Sequence, residues 1–506
     1  MASDAVGLER VSRVVGYKLQ KGNFSEVTPN LPQSIAVLGE ANEANQAALD
    51  LTPWVFTSLQ QAGIRYGFGS PIYSSLRILK PNSGRGSGGI PITVYPQAKA
   101  GGSVAKILYV TPTGTATGNT THTVVLAGRY GLDGDTYDFT VNTGDTPAVI
   151  CGKISSAVNS ILGAPAIGTA TSTEAVLTAK WKGLTSQDLV VSIDTNGNDA
   201  GVTYAVTQNT AGAGTPTIGT SLSLFGNTWH TQVVNTYGAV PSIMTALETF
   251  NGIPDPTAPT GRYQATIVKP FIALTGSVLD DPSSLTDGRL NDVTIAICPA
   301  PLSKGLPYEA AANMCVLFAR QAQDTPHLDV EGKSYPDMPT PKTIGSMSTY
   351  DFRDQIVQKG CSTVELVGGK YMVDDFVTTY HPLGENPPQY RYCRILNIDF
   401  NIRFAYYLKE EINVKDHVIA NDDDIVTASK VVKPKQWKQV LNNLFEELES
   451  RALIVDSGFS SASLTVSIGT VNPDRLETFF KYKRSGVVRI SSTTAEAGFN
   501  TGSLQN

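Results

Sequence analysis

Long apolar runs are absent from this 506-residue chain, and no window approaches the ~18 consecutive apolar residues of a membrane helix. No membrane insertion is predicted. The opening residues, MASDAVGLERVSRVVGYKL, include Asp4 and Glu9 and no continuous apolar stretch, so no secretory signal is expected. Cysteine is scarce: Cys151, Cys298, Cys315, Cys361 and Cys393 are scattered, odd in number and never paired as C-x-x-C. That argues against a disulfide scaffold and predicts reduced, buried thiols made in a cytosol. Histidine is equally sparse. His122, His230, His327, His381 and His417 show no H-E-x-x-H motif and no His/Cys cluster at ligand spacing. Charge is low too, with 17% charged residues, a net charge of -6 and a pI near 5.5. Direct nucleic-acid binding is therefore not expected.

Signatures of catalysis are missing as well. The Gly84–Gly89 run lacks the G-x-x-x-x-G-K-[ST] order of a phosphate cradle, and no G-x-S-x-G elbow occurs. Asp194-Thr-Asn196-Gly-Asn198-Asp199 and the Asp133, Asp135, Asp138 cluster lack the sixth-position glycine and later bidentate Glu of a calcium loop. Turn chemistry accounts for both, and Asp422-Asp423-Asp424 reads as a solvated loop. The expectation is a protein that is not an enzyme, with no catalytic residue, cofactor or metal.

What is present is a large apolar fraction, 41%, enough for sizeable cores, over a length that suggests roughly three domains. From about Gln97 to Leu222 the chain turns rich in Thr, Gly, Ala and Asn. Loop-forming stretches bound it, Asn82–Gly89 upstream and Thr210–Pro216 downstream. Within it, Lys106–Val110, Thr123–Leu126 and Tyr137–Val141 read as strands, and Val149, Ile150, Ile154, Val158 and Ile161 recur at helical spacing. Asp188–Asp194 and Val202–Thr207 flank Asn196-Gly197, which predicts a hairpin.

On either side, short β runs alternate with helices. Ser34–Leu38, Ile90–Tyr95, Trp229–Val234, Gln264–Val268 and Asp292–Ile297 read as strands; Trp54–Ala62, Ser242–Phe250 and Tyr308–Gln321 read as helices. Further on, Thr363–Val367 and Tyr371–Val373 are strand-like. Ile395–Leu408 carries both strand and helix periodicity. Trp437, Val440, Leu441, Leu444, Phe445 and Leu448 lie on one helical face behind Pro434. That helix has Lys435 and Lys438 at its start and Glu446, Glu447 and Glu449 at its end, against the helix dipole. Such placement suits either a solvated face or a charged partner.

The closing segment reads NPDRLETFFKYKRSGVVRISSTTAEAGFN from Asn472 to Asn500. A Pro-initiated helical stretch is predicted first, then a basic hinge of Lys481, Lys483 and Arg484 before Ser485-Gly486. Val487, Val488, Arg489 and Ile490 follow as a β-branched run tethered by glycine. A strand so placed can pair within its own subunit or add to a neighbour's sheet. The first thirty or so residues have a similar weakly apolar character, so the chain carries two candidate linking arms.

This ending, an Asn-Pro-x-Arg-Leu turn, a short amphipathic piece and a terminal strand, resembles that of Mu-like contractile tail sheath proteins. The likeness extends upstream in order. It takes in Leu31-Pro32-Gln33 into Ile35–Glu40, Ala62-Gly63 through Tyr66–Pro71, Leu126-Ala127-Gly128, Thr143–Thr146, and Thr178–Gly183 with Asn196-Gly197. Phe479–Arg484 departs from the more apolar, proline-containing stretch common in that family. The resemblance implies a structural subunit that polymerises helically around an inner tail tube in an extended metastable state and contracts to drive the tube through a host envelope. Its implied partners are further copies of itself, the tail tube protein, and baseplate and tail terminator proteins. Its implied location is the virion tail, with assembly in the host cytoplasm. An alternative, suggested by the Thr/Gly-rich region, is a β-rich surface adhesion or carbohydrate-binding protein.

The expected architecture is α+β and multidomain. An N-terminal arm (1–30) precedes a discontinuous α/β core domain (31–96 and 223–390), interrupted by a β-rich insertion (97–222) that the resemblance points outward. A C-terminal α+β domain (391–484) follows, tube-proximal by resemblance, then an arm strand and tail (485–506). Val487, Val488, Arg489 and Ile490 are the candidate inter-subunit strand. Lys435, Lys438, Glu446, Glu447, Glu449, Lys481, Lys483 and Arg484 are candidate tube or neighbour contacts.

Overall fold

A computed structural model describes residues 29–84 and 86–497. The arm expected over 1–30 and the end of the tail lie almost wholly or partly outside them. The described residues form two compact units. The larger comprises Asn30–Phe404, Arg451–Val455 and the chain from Tyr482; the smaller comprises Ala405–Ser450 and Asp456–Lys481. The division thus differs from one C-terminal domain over 391–484, because short stretches of the later sequence return to the larger unit.

The larger unit is built on a six-stranded sheet in the order Ile295–Pro299, Ile272–Ser277, Gln232–Asn235, Ile35–Glu40, Ile92–Gln97, Trp54–Val55. All neighbours are parallel except the last pair, which is antiparallel. Every residue of Ile35–Glu40, Gln232–Asn235, Ile272–Ser277 and Ile295–Pro299 is buried, as expected for strands covered on both faces. The helix Pro307–Asp324 covers the sheet so closely that a Cβ on Gly276 would lie 1.7 Å from the Pro307 carbonyl oxygen. Only glycine fits there.

Between Gln97 and Gln232 the chain leaves the sheet and builds a second core. Antiparallel strands Thr203–Thr210, Ile107–Thr113, Ala175–Ala179 and Ala166–Ala170 form one sheet; Val191–Asp194, Thr120–Leu126 and Asp138–Val141 form another. The helix Pro147–Ser160 buries Ile150, Cys151, Ile154 and Val158 against them. Trp181 is fully buried and its indole N–H donates to Thr185 Oγ1 at 2.9 Å.

Several expectations are corrected. Asn196 and Gly197 do adopt positive φ (53° and 83°), yet no hairpin forms there. Val191–Asp194 pairs with Thr120–Leu126, and Thr203–Thr210 pairs with Ile107–Thr113, because Ala200 and Gly201, also at positive φ, redirect the chain to the other sheet. Gln264–Val268 is a turn, with Val268 at φ 40°; the strand lies beyond Pro270 at Ile272–Ser277, where both faces are covered. Trp54–Val55 is an edge strand, and the helix starts only at Leu59, capped by Ser58 accepting from the Gln61 N–H at 3.2 Å. Ile395–Leu408 lies within one helix, Cys393–Asn413. The stretch after Pro473 is no helix: Leu476–Phe479 pairs antiparallel with Thr465–Ile468.

Within the larger unit, an ionic network joins the insertion to the sheet's helices. Arg129 reaches Glu309 at 3.1 Å and Asp337 at 2.7 Å, and Arg77 reaches the same carboxylates at 3.9 and 2.8 Å. Glu309 is 4% exposed. Burial pushes the Asp337 carboxyl up, but Arg129 and Arg77 outweigh it and hold the group below its usual range. Removing one member of a buried pair strands a charge, so Arg129→Met is expected to lower unfolding stability by about 3 kcal/mol in urea titrations.

Glu40, at the end of the central strand, is 1% exposed, and its Oε1 has no hydrogen-bond partner among the described residues. Burial raises its carboxyl from 4.5 to about 8. Between those values the folded chain holds a proton that the unfolded chain has released, so stability falls as pH rises through that window. Glu40→Gln is expected to flatten this fall and raise the melting temperature at pH 8, by calorimetry.

Candidate functional site

The chain from Tyr482 onward carries the residues singled out as linking. Its first three are fixed to the larger unit by hydrogen bonds. Lys483–Arg484 pairs antiparallel with Ile454–Val455. Arg484 donates from Nε and Nη2 to the two oxygens of Asp399, each at 2.7 Å, and Tyr482 Oη donates to Asp399 Oδ1 at 3.0 Å. Such a bidentate fork is a strong and directional form of charge pairing. Burial pushes the Asp399 carboxyl up, opposed by the Arg484 guanidinium. The guanidinium carbon also lies 5.0 Å from the Tyr390 ring centre. Ser485 N–H donates to Leu453 O at 3.2 Å, and Arg394 Nη2 donates to Ser485 O at 2.7 Å.

Past Ser485 the ladder ends. Among the described residues Val487, Val488, Arg489 and Ile490 lie in no strand. A strand is a property of paired backbones, and among the described residues this segment pairs with none. Val488 is 86% and Ile490 85% exposed, whereas the Arg489 side chain between them is only 15% exposed. Arg489 pairs with Asp329, with Asp375 at 2.6 Å and with Glu331 at 3.5 Å, and its guanidinium lies 3.8 Å from the Tyr392 ring centre. The pocket alongside has a volume of about 800 Å³ and is lined by Glu331, Arg353, Asp375, Arg391 and Ile490 among others.

The remaining candidates, Lys483 excepted, lie in the smaller unit. The helix Pro434–Ser450 buries Trp437, Leu441, Leu444, Phe445 and Leu448. Tyr406 and Phe480 join that core, with ring centres 5.7 Å from Trp437 and 5.2 Å from Phe445 respectively. Lys435, Lys438, Glu446 and Glu449 are exposed on the opposite face. Glu447 instead pairs within the unit, 3.1 Å from Lys409, and Glu449 accepts from the Asp456 N–H at 3.0 Å. Asp422 accepts the Lys435 N–H at 2.8 Å and so caps this helix, which gives the acidic run a local role. Lys481 is exposed and donates its N–H to Ser463 Oγ at 2.8 Å; Lys483 is exposed in the short ladder. Asp329, Glu331, Asp375, Arg394 and Asp399 escaped the sequence reading because they lie 83 to 160 positions away from the residues they hold.

Among the described residues no helix is long and apolar enough to cross a membrane, and no group of three or more His, Cys, Asp and Glu is placed to hold a metal.

No family model matches the chain. It is similar to the Mu-like prophage FluMu tail sheath protein of Haemophilus influenzae, 24% identical over 426 residues, covering 82% of this chain and 83% of the relative. The tail-sheath resemblance read from the sequence is thereby shown. Among solved structures, the sheath tail protein of Desulfitobacterium hafniense matches with a TM-score of 0.43 at 11% identity, over 93% of this chain and all of that one. The helical sheath of the anti-feeding prophage in its contracted state matches with a TM-score of 0.45 at 11% identity, over 97% of this chain and all of that one.

Replacing Asp399 by Ala removes the acceptor of both Arg484 and Tyr482. Trypsin is then expected to cut after Lys483 and Arg484 at least tenfold faster than in the parent, read by mass spectrometry. Equal rates would show that the short ladder and the bonds to Ser485 protect the segment without Asp399.

Proposed function

We propose that this chain is a structural subunit of a contractile tail sheath, one that polymerises helically around an inner tail tube and contracts to drive it through a host envelope. The observation that carries this reading is the similarity to a tail sheath protein across four-fifths of both chains. The anchored C-terminal segment supports it. Its base is fixed by Arg484 and Ser485, while Val488 and Ile490 are exposed and, among the described residues, have no partner strand. Added to a neighbour's sheet, Val487–Ile490 would gain main-chain hydrogen bonds and cover both side chains.

A contact made head to tail that does not close on itself generates a helix. Subunits joined by flexible strands can then rotate as rigid bodies between two packings without losing connection. The energy comes from new contact between subunits, withheld kinetically in the extended state. The exposed Lys435, Lys438, Glu446 and Glu449 face of the smaller unit is the proposed surface for the tube or a neighbour, with baseplate and terminator proteins at the two ends. The assembled location is the virion tail, built in the host cytoplasm. Nothing in this scheme requires a catalytic residue, cofactor or metal.

Expressed alone and viewed by negative-stain electron microscopy, the full chain is expected to form hollow, striated cylinders. A chain ending at Ser485 is expected to stay folded by circular dichroism yet form none. Normal cylinders from the truncated chain would remove the segment from assembly; globular particles from the full chain at high concentration would overturn the sheath reading.

A further inference from the structure

We propose that Arg489 is a latch in cis: seated in its own subunit's acidic pocket, it holds the C-terminal segment back from neighbouring subunits until that pocket is vacated. The consequence for assembly rests on the sheath reading, whereas the latch itself is a property of one chain.

The geometry has three parts. Upstream, the segment is fixed as far as Ser485 by Leu453 and Arg394. At Gly486 the chain has room to turn, since a Cβ there would meet nothing within 4 Å. Downstream, among the described residues, every side-chain hydrogen bond and ion pair of 486–497 belongs to Arg489. One side chain therefore decides whether the segment is docked. The two apolar residues beside it contribute little to docking, because each is more than four-fifths exposed.

The pocket is acidic beyond what Arg489 neutralises. Asp329, Glu331 and Asp375 share that one guanidinium, and the Asp329 side chain is 3% exposed. Most hydrogen bonds of the other charges nearby go elsewhere, although Arg394 also lies close enough to Asp329 to oppose its rise. Asp374 and Glu365 pair with Arg353, while Arg394 donates to the carbonyls of Ser485 and His327. Arg391 lines the pocket without pairing to any of the three carboxylates. The face of Tyr392 completes the seat for the guanidinium. A vacated pocket would hold three close carboxylates, partly desolvated, with Arg394 near Asp329 left to oppose their charge. That state is unfavourable unless they take up protons or a second cation.

Protons are thus linked to the latch. Burial raises the carboxyls of Asp329, Asp375 and Glu331, Asp375 to about 6, and in each case Arg489 opposes the rise. Removing Arg489 lets them rise further, so release takes up protons and acid favours release. The latch is at full strength above the values of the vacated pocket and weakens as pH falls through them toward 6.

The test uses the full chain with Ser492→Cys carrying a nitroxide label; the five native cysteines are buried. At pH 8 the parent's spectrum is expected to be mostly immobile. Arg489→Gln should raise the mobile fraction at least threefold and abolish the rise that the parent shows between pH 8 and pH 5. Asp375→Asn, which alters the pocket and leaves the segment intact, should give a smaller increase. A mobile fraction in Arg489→Gln equal to the parent's, or an identical pH response in both, overturns the latch. For unlabelled chains, the light-scattering lag of polymerisation should shorten at least twofold in Arg489→Gln. A freed segment with an unchanged lag overturns the latch's role in assembly. A freed segment with no polymer from either chain leaves the latch standing and overturns the sheath reading.

Discussion

The larger unit depends on one constraint: its central strand, Ile35–Glu40, is buried on both faces and hydrogen-bonded along both edges. Its two neighbours, Ile92–Gln97 and Gln232–Asn235, are separated in sequence by the whole insertion. The chain leaves the sheet at Gln97, beside Glu40, and re-enters it at Gln232, beside Ile35, one strand on either side of the central one. A body inserted between such points must close on itself, and it does so around its own core of Ile150, Ile154, Val158 and Trp181. Cover for the sheet then sets the rest. Pro307–Asp324 lies against Gly276 at a distance that leaves no room for a side chain, and the Arg129 network rides on that same helix through Glu309.

Charge is used in two ways inside this low-charge protein. In the Arg77, Arg129, Glu309 and Asp337 network, two cations meet two carboxylates, so the cluster is balanced and binds elements into one body. Around Arg489, one cation meets three carboxylates, and among the described residues its segment has no other ionic hold. Balanced burial gives rigidity. Imbalanced burial makes a contact that depends on the protonation of its carboxylates.

Legibility in the sequence varied with how local the cause of each element was. The helix Pro434–Ser450 was readable, because a proline in the first turn and an apolar stripe are local facts that packing preserves. The buried strand cores and Pro307–Asp324 were readable for the same reason. Asn196-Gly197 was misleading: its backbone turns as its residues prefer, yet the strands on either side pair with longer-range partners in two different sheets. Leu476–Phe479 likewise yields its helical pattern to pairing with Thr465–Ile468, which leaves Phe480 placed against Tyr406 and Phe445.

By itself the sequence determined the periodic helices, the buried strand runs, the compositional break that marks the insertion and the family resemblance, since each depends on residues near one another or on order along the chain. Tertiary structure alone decided the strand order of the sheet, the division of the later chain between two units, and the partners of Arg129, Arg484 and Arg489. Those partners lie 85 to 208 positions away along the chain. A charged side chain carries no local mark of which distant carboxylate it will meet; that is settled only when the fold closes and burial makes an unpaired charge too costly to keep.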